Sequence, residues 1–154
     1  MEKQWKMSPA LKDALDLLLE SERAGALALE DLSSKVEELR RFIAAARDNE
    51  AANAARLATL IVQAGAKPSK RIGPFAAKMA ALDSIPERLE LLARGESWVA
   101  RKIEAALELA PDSGPICEFL TAMANHHRHE IEWNNAEVIR LIREPETKRQ
   151  SKGQ

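Results

Sequence analysis

The sequence predicts an all-α protein, a four-helix bundle with one long crossover connection between its second and third helices. Three observations support this fold. Apolar residues recur at spacings of three and four through four long segments, the middle connection is long while the outer two are short, and the signals of β-structure are absent. The chain has 154 residues, 45% of them hydrophobic, which suits one domain with a single core.

The first helix is predicted from Pro9 to Leu32. Ser8 is a suitable N-cap, and a proline at the first helical position leaves no hydrogen bond unmade. The positions on one face, at spacings of three and four, are Leu11, Leu15, Leu18, Glu22, Gly25, Leu29 and Leu32. These spacings predict an amphipathic helix with this face turned inward.

The second helix is predicted to follow the stretch "DLSSKVEEL". Ser33 and Ser34 are candidate N-caps there, and the glutamates after them favour the positive end of a new helix. The inward positions are Leu39, Phe42, Ala46, Glu50, Asn53, Leu57, Leu60 and Ala64. Gly65 is a candidate C-cap, and Pro68 prevents the helix from continuing.

The segment between Pro68 and Pro86 is too long for a tight turn, so we interpret it as a crossover with a short helix in "PFAAKMAAL". Pro86 opens the third long helix, which ends before "APDSGP". Its inward positions are Leu89, Leu92, Glu96, Val99, Ile103 and Ala106.

The fourth long helix is predicted from about Ile116 to Arg143, and Pro145 ends it. The residues clustered on one side are Ile116, Phe119, Met123, His127, Glu130, Asn134, Val138 and Leu141. The bundle is therefore predicted to occupy residues 8–143, with residues 144–154 as a polar, disordered tail.

An ionisable side chain interrupts the apolar stripe near the middle of each long helix. These residues are Glu22, Glu50 and Glu96 on the first three helices, and His127 with Glu130 on the fourth. The midpoints of neighbouring helices lie at one level in a bundle. Because removing an isolated carboxylate from water costs several kcal/mol, glutamates are rarely buried unless they are paired. Their convergence predicts a shared site.

All three histidines lie within the stretch "NHHRHE", but they do not form a three-histidine ligand set. At 100° per residue, His127 faces inward with Glu130, His126 lies on the flank, and His129 turns outward. Consecutive helical residues cannot face one cation together, whereas residues three apart can.

Two interpretations of this cluster stay open. Carboxylates with one imidazole suit an iron or manganese ion. Binding of such an ion would weaken as the pH falls through the ordinary pKa of histidine, about 6.5, because the imidazole then becomes protonated. The alternative is a buried polar network in which His127 is protonated or is hydrogen-bonded by Glu50 and Glu130, and which fixes the helix register. Taken singly, Glu22 at the edge of a stripe is expected to reach water, and Glu96 has Arg101 as an alternative partner.

With these residues in place, the chain resembles the ferritin-like superfamily, whose four-helix bundles carry a di-iron or di-manganese carboxylate site. The resemblance runs from about Leu11 to Leu141. More closely, the stretches "LLLESERAGA", "GPFAAKMAALDSIPERLELLARGESWVARKI" and "MANHHRHEI" resemble a bacterial ferritin-like family of unknown function. The resemblance implies the same fold and a metal site at mid-height.

The superfamily pattern has a glutamate on helices one and three and Glu-x-x-His on helices two and four. Glu22 and Glu96 match the lone glutamates, and Glu50 matches the glutamate of the first Glu-x-x-His motif. Asn53 stands in place of that motif's histidine, and on the fourth helix the histidine precedes the glutamate. The resemblance therefore implies a degenerate or mononuclear metal site rather than a complete dinuclear one.

Composition limits the classes of partner. The net charge of -1, from 23 basic and 24 acidic residues spread along the chain, provides no overall field for nucleic acid, and no stretch is long and apolar enough to span a membrane. Cys117 has no partner for a disulfide, and the first residues lack the apolar region of a secretory signal. These features predict a cytoplasmic protein.

The sequence leads to two functional hypotheses. The first is an oxidoreductase or metal-handling protein that binds iron or manganese, with a small-molecule substrate that the sequence does not identify. The second is a non-catalytic bundle with a vestigial metal site, which acts through self-association as a homo-oligomer or through protein binding, for instance at Trp98 or Trp133.

The tail provides a first test. The segment "ETKRQSKGQ", Glu146 to Gln154, has no apolar side chain with which to dock on the bundle. Its removal is expected to change the free energy of unfolding by less than about 0.5 kcal/mol, the size expected of surface changes. Urea unfolding of the truncated chain measures this, and a loss of several kcal/mol would show that the tail packs.

Overall fold

The computed structural model describes residues 6–143, without the side chains of residues 133–135, 137–139 and 141–143. Its helices are α1 (Pro9–Ser33), α2 (Arg40–Gln63), α3 (Phe75–Ala80), α4 (Ile85–Leu109) and α5 (Pro115–Arg143). Four are long, and the short α3 lies in the crossover, so the predicted fold class is confirmed. No strand occurs within residues 6–143. The predicted tail lies outside the described residues. The structure also leaves out the side chains of Trp133 and of the predicted inward residues Asn134, Val138 and Leu141.

Serine caps and early prolines start two of the long helices. The Ser8 hydroxyl accepts a hydrogen bond from the Leu11 amide at 3.1 Å at the start of α1. Ser84 does the same for the Glu87 amide at 3.3 Å at the start of α4, and its hydroxyl donates to the Glu87 carboxylate at 2.8 Å. These contacts satisfy amides that have no partner inside the helix. Because Ser84 is the cap, α4 begins one residue before Pro86.

The connection between α1 and α2 differs from the prediction. Ser33 is the last residue of α1, and Ser34 is its C-cap, so neither caps α2. Each hydroxyl donates back to a carbonyl oxygen three residues earlier, at 2.8 Å and 2.7 Å. Serine hydroxyls can satisfy the free carbonyls at a helix end as readily as the free amides at a helix start. A 3-10 turn, Glu37–Leu39, then leads into α2 without a side-chain cap.

The inward face of α2 is rotated slightly from the predicted one. Ile43 is buried where Phe42 was expected, and Phe42 is half-buried. Ala54 is likewise buried beside a half-buried Asn53. Glu50 is buried as predicted, so the helix presents that carboxylate to the interior and keeps Asn53 at the margin.

The long helices form two antiparallel pairs, α1 with α2 and α4 with α5. Apolar residues fill the bundle in two clusters. The first includes Leu11, Leu15, Leu57, Ile61, Ile103 and Leu120. The second includes Leu29, Leu32, Ile43, Met79, Leu89 and Leu92. On every long helix the predicted ionisable residue falls between these clusters or at the end of one, so a polar layer divides the core.

Gly65 ends α2 as predicted. Its φ of 83° lies in the left-handed region, which a residue without a side chain adopts at little cost. The Gly65 amide donates to the Val62 carbonyl at 2.9 Å, and the Ala66 amide donates to the Ile61 carbonyl at 3.0 Å. This is the Schellman arrangement, which satisfies carbonyls at a helix end and turns the chain into the crossover.

Hydrogen bonds between main-chain atoms of the crossover and α1 hold the crossover along that helix. The Arg23 guanidinium donates to the Ser69 carbonyl at 2.6 Å. The Ser69 amide donates to the Asp16 carboxylate at 2.9 Å, and the Gly73 amide donates to the Glu20 carbonyl at 3.0 Å. These contacts fix where α3 begins and place it beside α1. Among the helices of residues 6–143, none has the length and apolar character needed to cross a membrane.

Candidate metal centre

The residues predicted to form the site are all buried in the polar layer of the bundle. Their exposed fractions are 2% for Glu22, 7% for Glu50, 4% for Glu96, 1% for His127 and 9% for Glu130. They are the buried charged residues of the described chain. Because a buried carboxylate without a partner costs several kcal/mol, their common level calls for a compensating positive charge.

His127 lies between two carboxylates from different helices. Its Nε2 is 3.2 Å from Glu22 Oε1, in a buried hydrogen bond between α5 and α1. Its Nδ1 is 3.2 Å from Glu96 Oε2, within ion-pair distance. The angle at this second contact is poor, so Nδ1 and Oε2 both lack a proper hydrogen bond. His127 therefore joins α5 to α1 and α4.

This arrangement corrects three expectations. The contacts of His127 are with Glu22 and Glu96, whereas the network interpretation had expected hydrogen bonds from Glu50 and Glu130. Glu22 does not reach water at the edge of its stripe, because it faces His127. Glu96 likewise faces the imidazole instead of pairing with Arg101 on its own helix.

The Glu50 carboxylate lies directly against the backbone of α1 at Gly25. A Cβ atom at position 25 would come within 2.0 Å of Glu50 Oε2, and the three nearest atoms all belong to Glu50. Any other residue at position 25 would displace this carboxylate. Oε2 has no hydrogen-bond partner in the described structure. The sequence placed Gly25 on the inward face but did not reveal this role.

Glu130 connects the buried layer to the surface. The His126 Nε2 atom lies 3.0 Å from Glu130 Oε1 and 3.0 Å from the Asn49 amide nitrogen. The His126 side chain is half-exposed, as expected for the flank of α5, and His129 is exposed as predicted. Sequence reasoning did not identify His126 and Asn49 as neighbours of the site, because they meet across α2 and α5.

The electrostatics of the layer follow from burial and crowding. Burial raises the pKa of Glu22, Glu50 and Glu130, and neighbouring carboxylates raise it further. Burial alone would lower the pKa of His127, but its hydrogen bond with Glu22 and its close contact with Glu96, together with the charges of both carboxylates, raise it to about 11. Without a metal, His127 is therefore an imidazolium, and Glu22, Glu50 and Glu130 hold protons more tightly than usual.

Three of these residues form a group that could hold one metal ion. Glu96, His127 and Glu130 each offer one ligand atom, all within 4.8 Å of one another. The donors fit a divalent cation, because two carboxylates supply charge and an imidazole supplies nitrogen. The unpaired atoms support this fit, since His127 Nδ1 and Glu96 Oε2 face each other without a proper hydrogen bond.

A cavity of about 600 Å³ connects this group to the surface. It opens between α1, α3 and α4, and its buried end is formed by Glu22, Glu50, Glu96 and His127. The cavity thus gives the polar layer a route to the surface on the α3 side.

Comparison with models of protein families shows which family the chain belongs to. The model of a family described as a domain of unknown function, DUF6306, matches residues 10–136. The chain belongs to the DUF6306 family. The match covers most of the bundle, including every residue of the candidate metal centre. No curated protein sequence matches this DUF6306 member.

Solved structures show that this DUF6306 chain has the ferritin-like fold. A ferritin-like, diiron-carboxylate protein from Bacillus anthracis str. Ames superposes with a TM-score of 0.77 at 18% identity, covering 86% of this chain and 99% of that one. The bacterioferritin of Rhodobacter capsulatus, described with a metal-free dinuclear site and haem iron, gives 0.73 at 14% identity, covering 90% and 89%. A ferritin from Chlorobium tepidum gives 0.67 at 18% identity, covering 94% and 98%. The predicted ferritin-like fold is confirmed.

The contact between Gly25 and Glu50 can be tested by a double-mutant cycle. In a Glu50→Ala background, Gly25→Ala is expected to stabilise the protein by about 1 kcal/mol, because alanine favours a helix over glycine. In the parent, the new Cβ displaces the Glu50 carboxylate, and this gain should be lost or reversed. Urea unfolding of the four proteins measures the coupling. An equal gain in both backgrounds would show that Glu50 does not lie on Gly25.

The metal-free protein should lose stability as the pH rises. A His127 pKa raised from 6.5 to about 11 gives stability that is fully present below 6.5 and is lost as the pH rises toward 11. The raised pKa of Glu50 acts in the same direction above its ordinary value of 4.5. The loss from His127 is at most about 1.4 kcal/mol per pH unit.

Unfolding curves of chelator-treated protein between pH 6 and 10 measure this dependence. His127→Gln should flatten the curve, whereas His129→Gln, at an exposed position of the same helix, should leave its slope unchanged. A parent whose stability is constant over this range would mean that Glu22 and Glu96 do not hold a proton on His127.

Proposed function

We propose that the protein binds one redox-active divalent metal ion, iron or manganese, through Glu96, His127 and Glu130, and acts as an oxidoreductase or a metal-handling protein. The observation that carries this proposal is the meeting of three buried donors within 4.8 Å of one another, two of which, Glu96 and His127, line the buried end of a cavity. Carboxylate oxygens with an imidazole nitrogen form a donor set that suits iron and manganese. When bound, the ion would supply one-electron chemistry in a site shielded from bulk water.

In this proposal Glu22 orients the histidine instead of binding the metal. The His127 Nε2–H donates to Glu22 Oε1 at 3.2 Å, which leaves Nδ1, on the Glu96 side, free to act as a ligand. A carboxylate that accepts the second N–H of a ligand histidine fixes both its tautomer and its ring orientation. Glu22 was expected as a ligand from the superfamily pattern, so this is a different role for the same residue.

Glu50 provides a further carboxylate beside the group. One of its oxygens has no hydrogen-bond partner, and its raised pKa comes first from burial and then from the charges of Glu22 and Glu96. A cation in the layer would lower the cost of ionising Glu50, because an opposite charge favours the carboxylate form. Glu50 therefore adds negative charge to the site and stays a candidate fourth ligand.

A single metal ion fits the chain better than two. The position expected to carry a second histidine is Asn53, which is half-buried and lies at the margin of the core. On α5 the histidine precedes the glutamate, so both donors of that helix are taken up by the group with Glu96. The chain thus offers one imidazole to the polar layer within its described part.

Metal binding has to displace the proton on His127. Because the pKa of His127 in the metal-free state is raised to about 11, the affinity for metal should continue to rise with pH well above neutrality. The proposal therefore places the pH range over which binding responds above the ordinary histidine pKa of about 6.5 that the sequence suggested. In the bound state the ion would supply positive charge in place of the imidazolium proton.

The alternative function is a non-catalytic bundle with a vestigial site. The observation in its favour is that His127, once protonated, is already paired with Glu22 and Glu96, so the layer has a cation without any metal. In that case the layer fixes helix register, and the protein acts through self-association or protein binding. Homo-oligomer formation, a cytoplasmic location and the absence of a nucleic-acid partner stay predictions from sequence.

Anaerobic titration of chelator-treated protein with ferrous iron and with manganese tests the proposal. We expect saturable binding of about one ion per chain, a rise in melting temperature, and an affinity that increases about tenfold per pH unit while one proton is released. His127→Ala should abolish binding, and Glu22→Gln should weaken it by about 10- to 100-fold, as for other groups that orient a ligand.

His129→Ala is the matched control, because it removes an exposed imidazole two residues away on the same helix. It should bind metal like the parent. If the parent shows no saturable binding and no metal-dependent rise in melting temperature, the site is vestigial, and the buried network is the better account of these residues.

A further inference from the structure

The cavity beside α3 has a composition that the metal site does not require. Besides the four ionisable residues at its buried end, the walls carry large apolar side chains from α1, α3 and α4. They include Leu17, Phe75, Leu91, Leu92, Trp98 and Val99. Leu17 and Trp98 are 38% and 36% exposed, so part of this apolar wall is open to water. Apolar surface left open in a concave site is typical of ligand pockets.

Cationic side chains surround the mouth of the same cavity. Lys78, Arg94 and Arg101 line it and are exposed, so they lie toward its outer end. None of the three has an ion-pair partner among the described residues. Other arginines of the chain do have partners, such as Arg47 with Glu30 and Asp48. The one carboxylate of the outer wall, Glu20, is paired with Arg71.

The cavity is therefore divided by charge along its length. Cations stand at the mouth, apolar side chains form the middle, and the buried end carries the carboxylates around His127. A negatively charged group would be attracted to the mouth and opposed by the carboxylates at the buried end. An apolar group is favoured by the middle, since its burial removes both surfaces from water.

We propose that this cavity binds a small amphipathic anion, with its anionic head at Lys78, Arg94 and Arg101 and its apolar chain directed toward the polar layer. The volume of about 600 Å³ lies within the range of small-molecule pockets, about 300–1,000 Å³. This ligand site does not depend on metal binding, because the apolar wall and the cations at the mouth can contact a ligand whether or not a metal is present. If a metal is bound, the ligand chain approaches it from the α3 side.

Isothermal titration calorimetry with octanoate as the probe tests this site in chelator-treated and in manganese-treated protein. We expect saturable binding of one octanoate in both. Octan-1-ol has the same chain without the charge and should bind more weakly, and octylammonium should bind more weakly still. From hexanoate to octanoate the affinity should rise about fourfold per methylene, which corresponds to about 0.8 kcal/mol per buried CH₂.

Protein variants measure separately what the anionic head and the apolar tail of octanoate contribute to binding. Arg94→Gln combined with Arg101→Gln should weaken octanoate binding about three- to tenfold, as expected of two exposed ion pairs, and leave octan-1-ol unchanged. Ser21→Phe, which adds bulk to the cavity wall, should weaken both ligands. Arg56→Gln is the matched control, because Arg56 is an exposed arginine on α2 outside the cavity, and it should bind octanoate like the parent.

The outcomes are distinguishable from those of the metal titration. If octanoate binds chelator-treated protein and neither ferrous iron nor manganese binds, the metal proposal fails and the ligand site stands. If manganese binds and octanoate shows no saturable binding in either form, the ligand site is refuted and the metal proposal stands. Tighter binding of octylammonium than of octanoate, or equal binding by the double arginine variant and the parent, would also overturn the proposed orientation.

Discussion

The interaction on which the rest of this structure depends is the burial of one imidazole among carboxylates in the middle of a helical bundle. An isolated charge would be too costly at that depth, but His127 lies between Glu22 on one side and Glu96 on the other, so each charge has an opposite charge beside it. This polar layer explains why the apolar core is split into two clusters, and why α5 is tied to α1 and α4 at their midpoints. It also explains the glycine on α1, because a carboxylate from α2 has to fit against that backbone.

Much of the fold could be predicted because helical periodicity is a local property of the sequence. The spacings of three and four set the long helices, and the same spacings identified Glu22, Glu50, Glu96, His127 and Glu130 as inward residues, all of which are buried. The partners within the site could not be predicted, since they depend on how the helices rotate against one another. A rotation of α2 by a fraction of a turn buries Ile43 and leaves Phe42 half-buried. Reasoning on one helix at a time therefore gave Glu22 and Glu96 partners in water or on their own helix.

The ferritin-like fold places four helix midpoints at one level whatever chemistry they carry. The chain shares this fold with structures at 14–18% identity. On α5, His127 precedes Glu130 by three residues, so the two lie about one turn apart along the axis. In this order the imidazole lies level with Glu22 and Glu96 and contacts both. The position of the histidine along α5 thus decides which carboxylates can share its proton.

The crossover is bound to α1 by contacts that are mostly with main-chain atoms, such as those of Ser69 and Gly73. It also carries Phe75 and Lys78, which form one wall of the cavity, while the polar layer is built from the four long helices. The crossover therefore forms one wall of the cavity without contributing a residue to the polar layer. A substitution between α2 and α4 would change the shape of that wall while every carboxylate of the layer keeps its place on its own helix.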